Sequence, residues 1–481
     1  MSSLAQAGTG QPDARVSGSV VSIREFDAAG DGATDDTSAI VAAFSAACAA
    51  GGGTILIPSG TFIINPAAAS IPICSNLFVH GPGTLKVKPD TGNYRAIFAA
   101  STPETAVNDV TFTGISVDQN AYHNTTATID AGDDRTHQRI WQIFAGTNVH
   151  LERMRLYVSG VNPVDVNGPA VSGVYVHRNY IEFQKRAGQP EFDNSAIYIN
   201  GDNFHVIDNS FVSGATDQAR TAIEIHTGSG SVSGNTIDRF SIGMNLVDLK
   251  SSSVTGNHIR NAGYGITLWS AMLMESVVVS GNTIAINQAS RNTPSSWGIA
   301  TVHDAAFHGE ISSLQITGNI VRFEEESAAR SISGSANYGI GLQTLGNISN
   351  VAIRDNEIVR APVRGIALGV LDGKYATSRV SLAQNRIVDA GSKLSSGALH
   401  YSAAISLQGN LSSIDVVRNR LDFLSRPFSG RYSYWSFETG YTFTRVVVAG
   451  NYATAVDGSP INGLTSSVIQ TDPIQTAADP R

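Results

Sequence analysis

The sequence predicts an all-β chain, a single-stranded right-handed parallel β-helix with an N-terminal capping α-helix. Two observations predict it. A short phrase centred on Asn recurs ten times, at Asn179, Asn209, Asn235, Asn257, Asn282, Asn319, Asn356, Asn385, Asn419 and Asn451, with spacings of 22 to 37 residues. Such a period marks a solenoid whose coils differ in loop length. Each copy is also followed by a segment of the form G-I-x-L-x, as in SAIYING from Ser195, TAIEIHT from Thr221, YGITLWS from Tyr264 and RGIALGV from Arg364. Alternation with period two over five or six residues is a strand with one buried face.

The repeated Asn is expected to be structural. Amide side chains stacked at a coil spacing of about 4.8 Å can hydrogen-bond one another and the turn backbone, forming a ladder at one corner. Leucine-rich, ankyrin and tetratricopeptide repeats are excluded, because each needs a helix or a fixed Leu frame. About ten to thirteen coils are expected in one solenoid. Residues 1–18 are expected to be extended or disordered, 19–64 to form the cap and first strands, 65–460 the β-helix and 461–481 a tail. Irregular pieces near 285–296, 322–337, 388–402 and 421–443 read as loops projecting from the stack.

Composition agrees and narrows the partners. Charged residues make up 15% of the chain, hydrophobic ones 42%, and the net charge is −8. Nucleic-acid binding needs a concentrated Lys/Arg surface, and no basic run exceeds two residues, so no nucleic-acid partner is expected. No stretch of 18 apolar residues predicts a membrane span. Cys48 and Cys74, both in apolar context, read as buried free thiols rather than a metal site. The first 18 residues lack the basic-then-apolar order of a secretory signal.

Residues 20 to 64, VVSIREFDAAGDGATDDTSAIVAAFSAACAAGGGTILIPSGTFII, carry a resemblance. This segment resembles the opening of the pectate-lyase-like superfamily of parallel β-helix proteins, which includes polygalacturonases, phage tailspike depolymerases, alginate epimerases and fructan-cleaving enzymes. The resemblance implies a carbohydrate-active protein, extracellular or at a cell surface, and often a homotrimer; the aromatic insertion at residues 431 to 443 offers a contact surface. From the residues themselves, Asp36 or Thr37 caps a helix from about Ser38 to Ala50 whose stripe of Ile40, Val41, Phe44 and Cys48 covers the open end of the stack. Gly30 and Gly32 make the turn before it, and the glycines at 51 to 53 stop it. Asp31, Asp35 and Asp36 read as turn and cap residues rather than a calcium site.

Setting the G-I-x-L-x strands in register locates a candidate cleft. Ile197, Ile223, Met244 and Ile266 point inward. The outward column reads Gln142 and Phe144, Asp165 and Asn167, Tyr198 and Asn200, Glu224 and His226, Asn245 and Val247, Thr267 and Trp269. From residue 340 onward it becomes small or amide: Gly341 and Gln343, Ala367 and Gly369, Ser406 and Gln408. Glycan sites need flat aromatic faces, amides for hydroxyls and a few carboxylates, which describes the first half of the column.

Three reactions compete for that cleft. Hydrolysis would use Glu224 as proton donor and Asp165, two coils away, as the base that activates water; a backbone separation of roughly 9–10 Å suits the carboxyl spacing of inverting enzymes. β-Elimination would use Tyr198 or His226 as base beside a uronate; the poverty of basic residues, with Arg220 the nearest, disfavours it. Intramolecular glycosyl transfer could use the same carboxylate pair. Gln142, Phe144, Asn167, Asn200, Asn245, Trp269, Asp193, Asp202 and Asp248 are expected to bind substrate; Asp193, Asp202, Asp217 and Asp248 stand at strand ends, and any of them could displace Asp165, because coils of unequal length can shift the register by a residue. His303 and Asp304 read as a surface pair. Alginate epimerases carry a DPH motif on this face, and NPVD at 162 to 165 is not that motif, so epimerisation is a minor option. An adhesin or inert shaft would show a uniformly small, polar column without the carboxylates. No cofactor or metal is expected.

Overall fold

The computed structural model describes residues 20–477 except 125–129, 131, 185–193, 215–220, 288–294, 302–307, 325–336, 370–373, 391–402, 423–432, 438–441, 455–460, 463–467 and 471–474. The chain winds into a right-handed parallel β-helix of three strand columns. One column forms a sixteen-stranded parallel sheet, and the other two are joined into a 27-stranded sheet by the long bent strands Arg139–Glu152, Val164–His177 and Ser195–Ile207. Sixteen strands in one column exceed the ten to thirteen coils expected. The Asn phrase marks only the coils from Asn179 to Asn451. Strands before it, such as Leu77–His80 and Val110–Thr113, and after it, Val468–Gln470 and Gln475–Ala477, pair in the same stack without the phrase. The strands of residues 20–64 likewise belong to the helix, and the segment from 461 carries strands.

The ladder forms as expected. From Asn179 to Asn419, each side-chain amide donates to Oδ1 of the next Asn at 2.9–3.0 Å. The same oxygen accepts the backbone N–H of the Asn before it, as from Asn257 to Asn282 at 2.9 Å. Each amide also reaches back to a strand carbonyl, as Asn257 does to Val232 at 2.9 Å. The residue ahead of each Asn is left-handed, with φ from 56° to 66°, and Gly fills five of these ten positions because it pays no steric cost there.

The cap differs from the sequence reading in two ways. The helix Thr37–Ala49 has Asp36 at its N-cap position, yet the Asp36 carboxylate turns back to accept from Ala29 and Gly30 N–H at 2.6 and 3.1 Å. Asp35 accepts from the Thr37 N–H and hydroxyl instead. Asp31 closes its own turn on Ala33 and Thr34. The cysteines are not free: Cys48 and Cys74 form a disulfide with Cα atoms 5.7 Å apart, within the range that bridging requires. Helix packing on the stack brings together two thiols 26 residues apart, a juxtaposition that apolar flanks alone do not reveal. No helix among the described residues is long and apolar enough to cross a membrane. The aromatic insertion at 431 to 443 falls almost wholly outside the residues whose side chains are described.

Candidate active site

The column sits in the register the sequence implied. Gln142 pairs with Asp165, Asp165 with Tyr198, Tyr198 with Glu224, Glu224 with Asn245 and Asn245 with Thr267. The second row also aligns, from Asn167 through Asn200, His226 and Val247 to Trp269. Phe144 falls at a register shift. Neighbouring coils lie about 4.8 Å apart, so these side chains touch.

Strict alternation missed one feature that the strands from Ser195 onward share. The pairing passes over Ala196, Ala222, Gly243, Gly265, Gly298, Gly339, Gly365 and Ala404 on both partners of each pair, so the register is kept while alternation breaks at one small residue per coil. A Cβ at Gly265 would lie 2.3 Å from the Gly298 carbonyl, so bulk is excluded there. The residue before the small one faces outward as well, as the Ser195 hydroxyl on Glu224 and the Trp297 indole on Thr267 show. This third outward row holds Ser195, Thr221, Ile242, Tyr264, Trp297, Tyr338 and Arg364. A comparable shift in the strand from Arg139, whose pairing skips Ile140, turns Arg139 into the cleft.

Two connected clusters result. In the first, Tyr198 Oη lies 3.3 Å from His226 Nδ1, and His226 Nε2 lies 2.9 Å from Glu224 Oε1. Asn245 donates to the same Glu224 oxygen at 3.1 Å, and the Ser195 hydroxyl donates to the other. Glu224 is 6% exposed. Burial pushes its carboxyl up, but the donors His226, Ser195 and Asn245 together outweigh burial and hold it below the usual range.

In the second cluster, Arg139 Nε donates to Asp165 Oδ2 at 2.5 Å and Arg139 Nη1 to Asp134 Oδ1 at 2.6 Å. Asp134 also accepts from Gln142 Nε2 at 3.2 Å and is ion-paired with Arg95, whose Nε lies 2.8 Å from Oδ2. Arg139 Nη2 donates to His137 Nδ1 at 2.9 Å, and its guanidinium lies over the Phe144 ring. Asp165 is 1% exposed. Burial raises its carboxyl to about 7 despite the charge of Arg139. The acidities thus run opposite to those a Glu224 donor and an Asp165 base require. Sequence reasoning missed Arg95, Asp134, His137 and Arg139, and with them a concentration of basic groups at the cleft.

Two of the strand-end carboxylates serve the fold instead. Asp248 is buried and accepts the N–H groups of Ala271, Met272 and Leu273 at 2.9–3.2 Å. Asp202 stands exposed on another face, in register with Ser172, where it accepts the N–H and hydroxyl of Ser229. Neither can offer a substrate contact in the column. Asn200 accepts the Thr227 hydroxyl at 2.9 Å; Asn167 is half-buried on the adjacent coil, and Trp269 is half-buried three coils further along the row. Asp193, Asp217, Arg220, His303 and Asp304 lie outside the described residues. No group of three or more metal-ligating side chains is found among the described residues.

No known family model matches the chain. A 105-residue stretch is 35% identical to mannuronan C5-epimerase AlgE3 of Azotobacter vinelandii, covering 19% of this chain and 6% of that protein. The same length is 34% identical to alginate lyase 7 of that organism, over 19% of this chain and 12% of the relative. The match thus spans a small part of either relative. Among solved structures, a mutant tailspike protein of E. coli bacteriophage HK620 in complex with pentasaccharide superposes with a TM-score of 0.57 at 15% identity, covering 87% of this chain and 78% of the tailspike. The surface protein and adhesin PfbA of Streptococcus pneumoniae gives 0.55 at 13% identity, over 92% and 99%. Together with the topology above, the structural likenesses show the right-handed parallel β-helix fold for this chain.

Proposed function

We propose that the cleft between Asp134 and Trp269 acts on an anionic polysaccharide by removing the proton on the carbon beside a uronate carboxylate, with β-elimination of the glycosidic bond as the outcome. The carrying observation is the hydrogen-bonded series Tyr198, His226, Glu224. An ionised Glu224 accepts the His226 Nε2 proton, which leaves the Nδ1 lone pair facing the Tyr198 hydroxyl. His226 can then draw the phenolic proton as the Tyr198 oxygen takes the C–H proton of the sugar. The electron pair left on carbon forms the double bond and expels the linking oxygen, which recovers a proton from the imidazolium through Tyr198. Arg95 and Arg139 bring two guanidinium groups to this end of the cleft, and their positive charge stabilises the substrate carboxylate as negative charge builds on it. Glu224 is poorly suited to donate a proton, since a carboxyl held below its usual range is empty at neutral pH. The names of the sequence relatives, mannuronan epimerase and alginate lyase, point to the same substrate class. Epimerisation would begin with the same proton transfer and end with a proton returned to the opposite face.

A second reading, hydrolysis, draws on one observation. The acidities of Asp165 and Glu224 are pushed apart, as an acid and a base require, now with Asp165 as donor and Glu224 as base. A panel of polymannuronate, polyguluronate, polygalacturonate and neutral glucans, assayed separately for reducing ends and for unsaturated-sugar absorbance, discriminates. Elimination predicts unsaturated ends from a uronate polymer and a loss of about 100-fold or more in Tyr198→Phe. Reducing ends without unsaturation, with Tyr198→Phe active and Asp165→Asn dead, would replace it by hydrolysis. The disulfide supports an oxidising, extracellular or cell-surface location. A homotrimer belongs to the same proposal, and a monomeric mass by light scattering would remove it.

A further inference from the structure

We propose that a second groove, on a different face of the prism and starting one coil beyond the cleft, binds a linear anionic polysaccharide without reacting with it. The groove encloses about 500 Å³ on five successive coils, with Gln315, Asn350, Arg354, Arg379, Ser381 and Arg445 among its lining. Its floor is the register row Gln315, Ala352, Ser381 and Asp415, small and polar enough for an extended chain to lie close along the axis. Arg379 and Arg445 occupy the left-handed corner of their coils, with φ of 53° and 52°, where Ser276, Ser313, Asn350 and Ser413 stand in the other coils. The register sets these two arginines two coils apart, about 10 Å along the axis. Arg379 Nε donates to Asn350 Oδ1 at 2.7 Å, which fixes its guanidinium along the groove.

The charges here are not neutralised as several on the sixteen-stranded face are. On the sixteen-stranded face, Arg260 pairs with Asp238, Arg322 with Glu357, and Arg386 and Arg420 with Asp422. Among the described residues, no such ion pair engages Arg354, Arg379 or Arg445. Three guanidinium groups therefore face one carboxylate, Asp415, on a chain whose net charge is −8. A polyanion repelled by the molecule as a whole finds local attraction at this strip. Guanidinium forks bind carboxylate or sulfate oxygens in pairs, while the lining holds no aromatic ring for a neutral sugar to stack on. Charge-bearing sugars are thus favoured over neutral ones. A polymer held here while the cleft works on another stretch would be retained by raised effective concentration.

The groove does not depend on which reaction the cleft performs. Calorimetric titration of the full chain, carrying Tyr198→Phe to prevent turnover, with a mannuronate hexasaccharide should find two sites per chain. Adding Arg379→Gln and Arg445→Gln should remove one of them and leave the other, while Arg379→Lys with Arg445→Lys retains both, the groove weakened by about 10-fold or less. If the cleft takes no uronate, the parent shows one site and the Gln pair none. Equal site numbers in parent and Gln pair overturn the proposal. So does competition by inorganic phosphate as strong as by the hexasaccharide, or equal binding of a neutral glucan oligomer.

Discussion

At the scale of single residues, Arg139 and Asp165 form a pair that neither member can leave alone. Both are nearly inaccessible, so Arg139→Met strands a carboxyl that must stay protonated or pay to ionise without a partner. Breaking a buried pair typically costs about 3–5 kcal/mol, whereas replacing both partners by apolar groups is often neutral. Denaturant unfolding should show that loss for Arg139→Met and recovery of most of it in Arg139→Met with Asp165→Leu; equal stability of parent and single variant would deny the pairing. His177 gives a pH dependence of definite sign. Burial first, then the charges of His150, His205 and Arg178, lower its imidazole to about 4, while an unfolded histidine titrates near 6.5. Between those values the unfolded chain binds the extra proton, so this residue's contribution to stability is lost as pH falls from about 6.5 to about 4. Asp165, raised to about 7, acts oppositely over much of the same range. The measurement is therefore a difference: the Tm of His177→Gln relative to the parent should rise steadily as pH drops from 7 to 4.5. The residues on which the cleft depends were only partly legible. Period two was enough to align Asp165, Tyr198, Glu224 and His226 across coils, because register propagates in a solenoid. Arg139 was invisible to that pattern, since a shift in its strand reverses its parity. The acidities of Glu224 and Asp165 were not legible either, because they depend on donors such as Ser195 that a break in strict alternation turns outward.

At the scale of elements, the Asn ladder is a chain of reciprocal hydrogen bonds, and its members are not equivalent. Asn257 donates to Val232 and Asn282, and its Oδ1 accepts both the N–H and the side-chain amide of Asn235. Asn451 accepts from Asn419 and donates to Val416, and no further Asn continues the ladder beyond it among the described residues. Each buried group left without a partner costs about 1–3 kcal/mol. Asn257→Leu should therefore destabilise by at least that much, and Asn451→Leu by less, as read from unfolding midpoints. Equal effects would mean that the ladder is not cooperative. This element was legible because the same amide must recur at the same corner of successive coils, so its spacing is written in the chain. The number of coils was not, because at the N-terminal end apolar residues such as Ile115 and Met154, both buried, precede strands of the same column without any repeated polar signature.

At the scale of the whole molecule, a solenoid of sixteen coils, about 75 Å long at the strand spacing of parallel sheets, is stabilised by contacts between neighbours only, so its ends are its weak points. The N-terminal end is closed by the helix Thr37–Ala49, whose Phe44 is fully buried against Phe98, itself stacked on Trp141. Burial seats this plug and the Cys48–Cys74 bridge locks it. A disulfide closing a loop of 26 residues removes enough unfolded-chain entropy to contribute about 3 kcal/mol. In a globular domain that loss would lower one cooperative transition. Here it should act locally, because coils far from the cap do not feel the plug directly. Replacing both cysteines by serine should expose the first coils to limited proteolysis, with early cuts near residues 50 to 76, while the fragment spanning Asn257 to Asn451 persists. Hydrogen exchange should agree, with faster exchange in strands Gly53–Leu56 and Leu77–His80 and unchanged protection along the ladder. A uniform loss of protection along the whole chain would instead mean that the coils unfold as one unit, and that the cap governs the stability of the cleft as well as of the end.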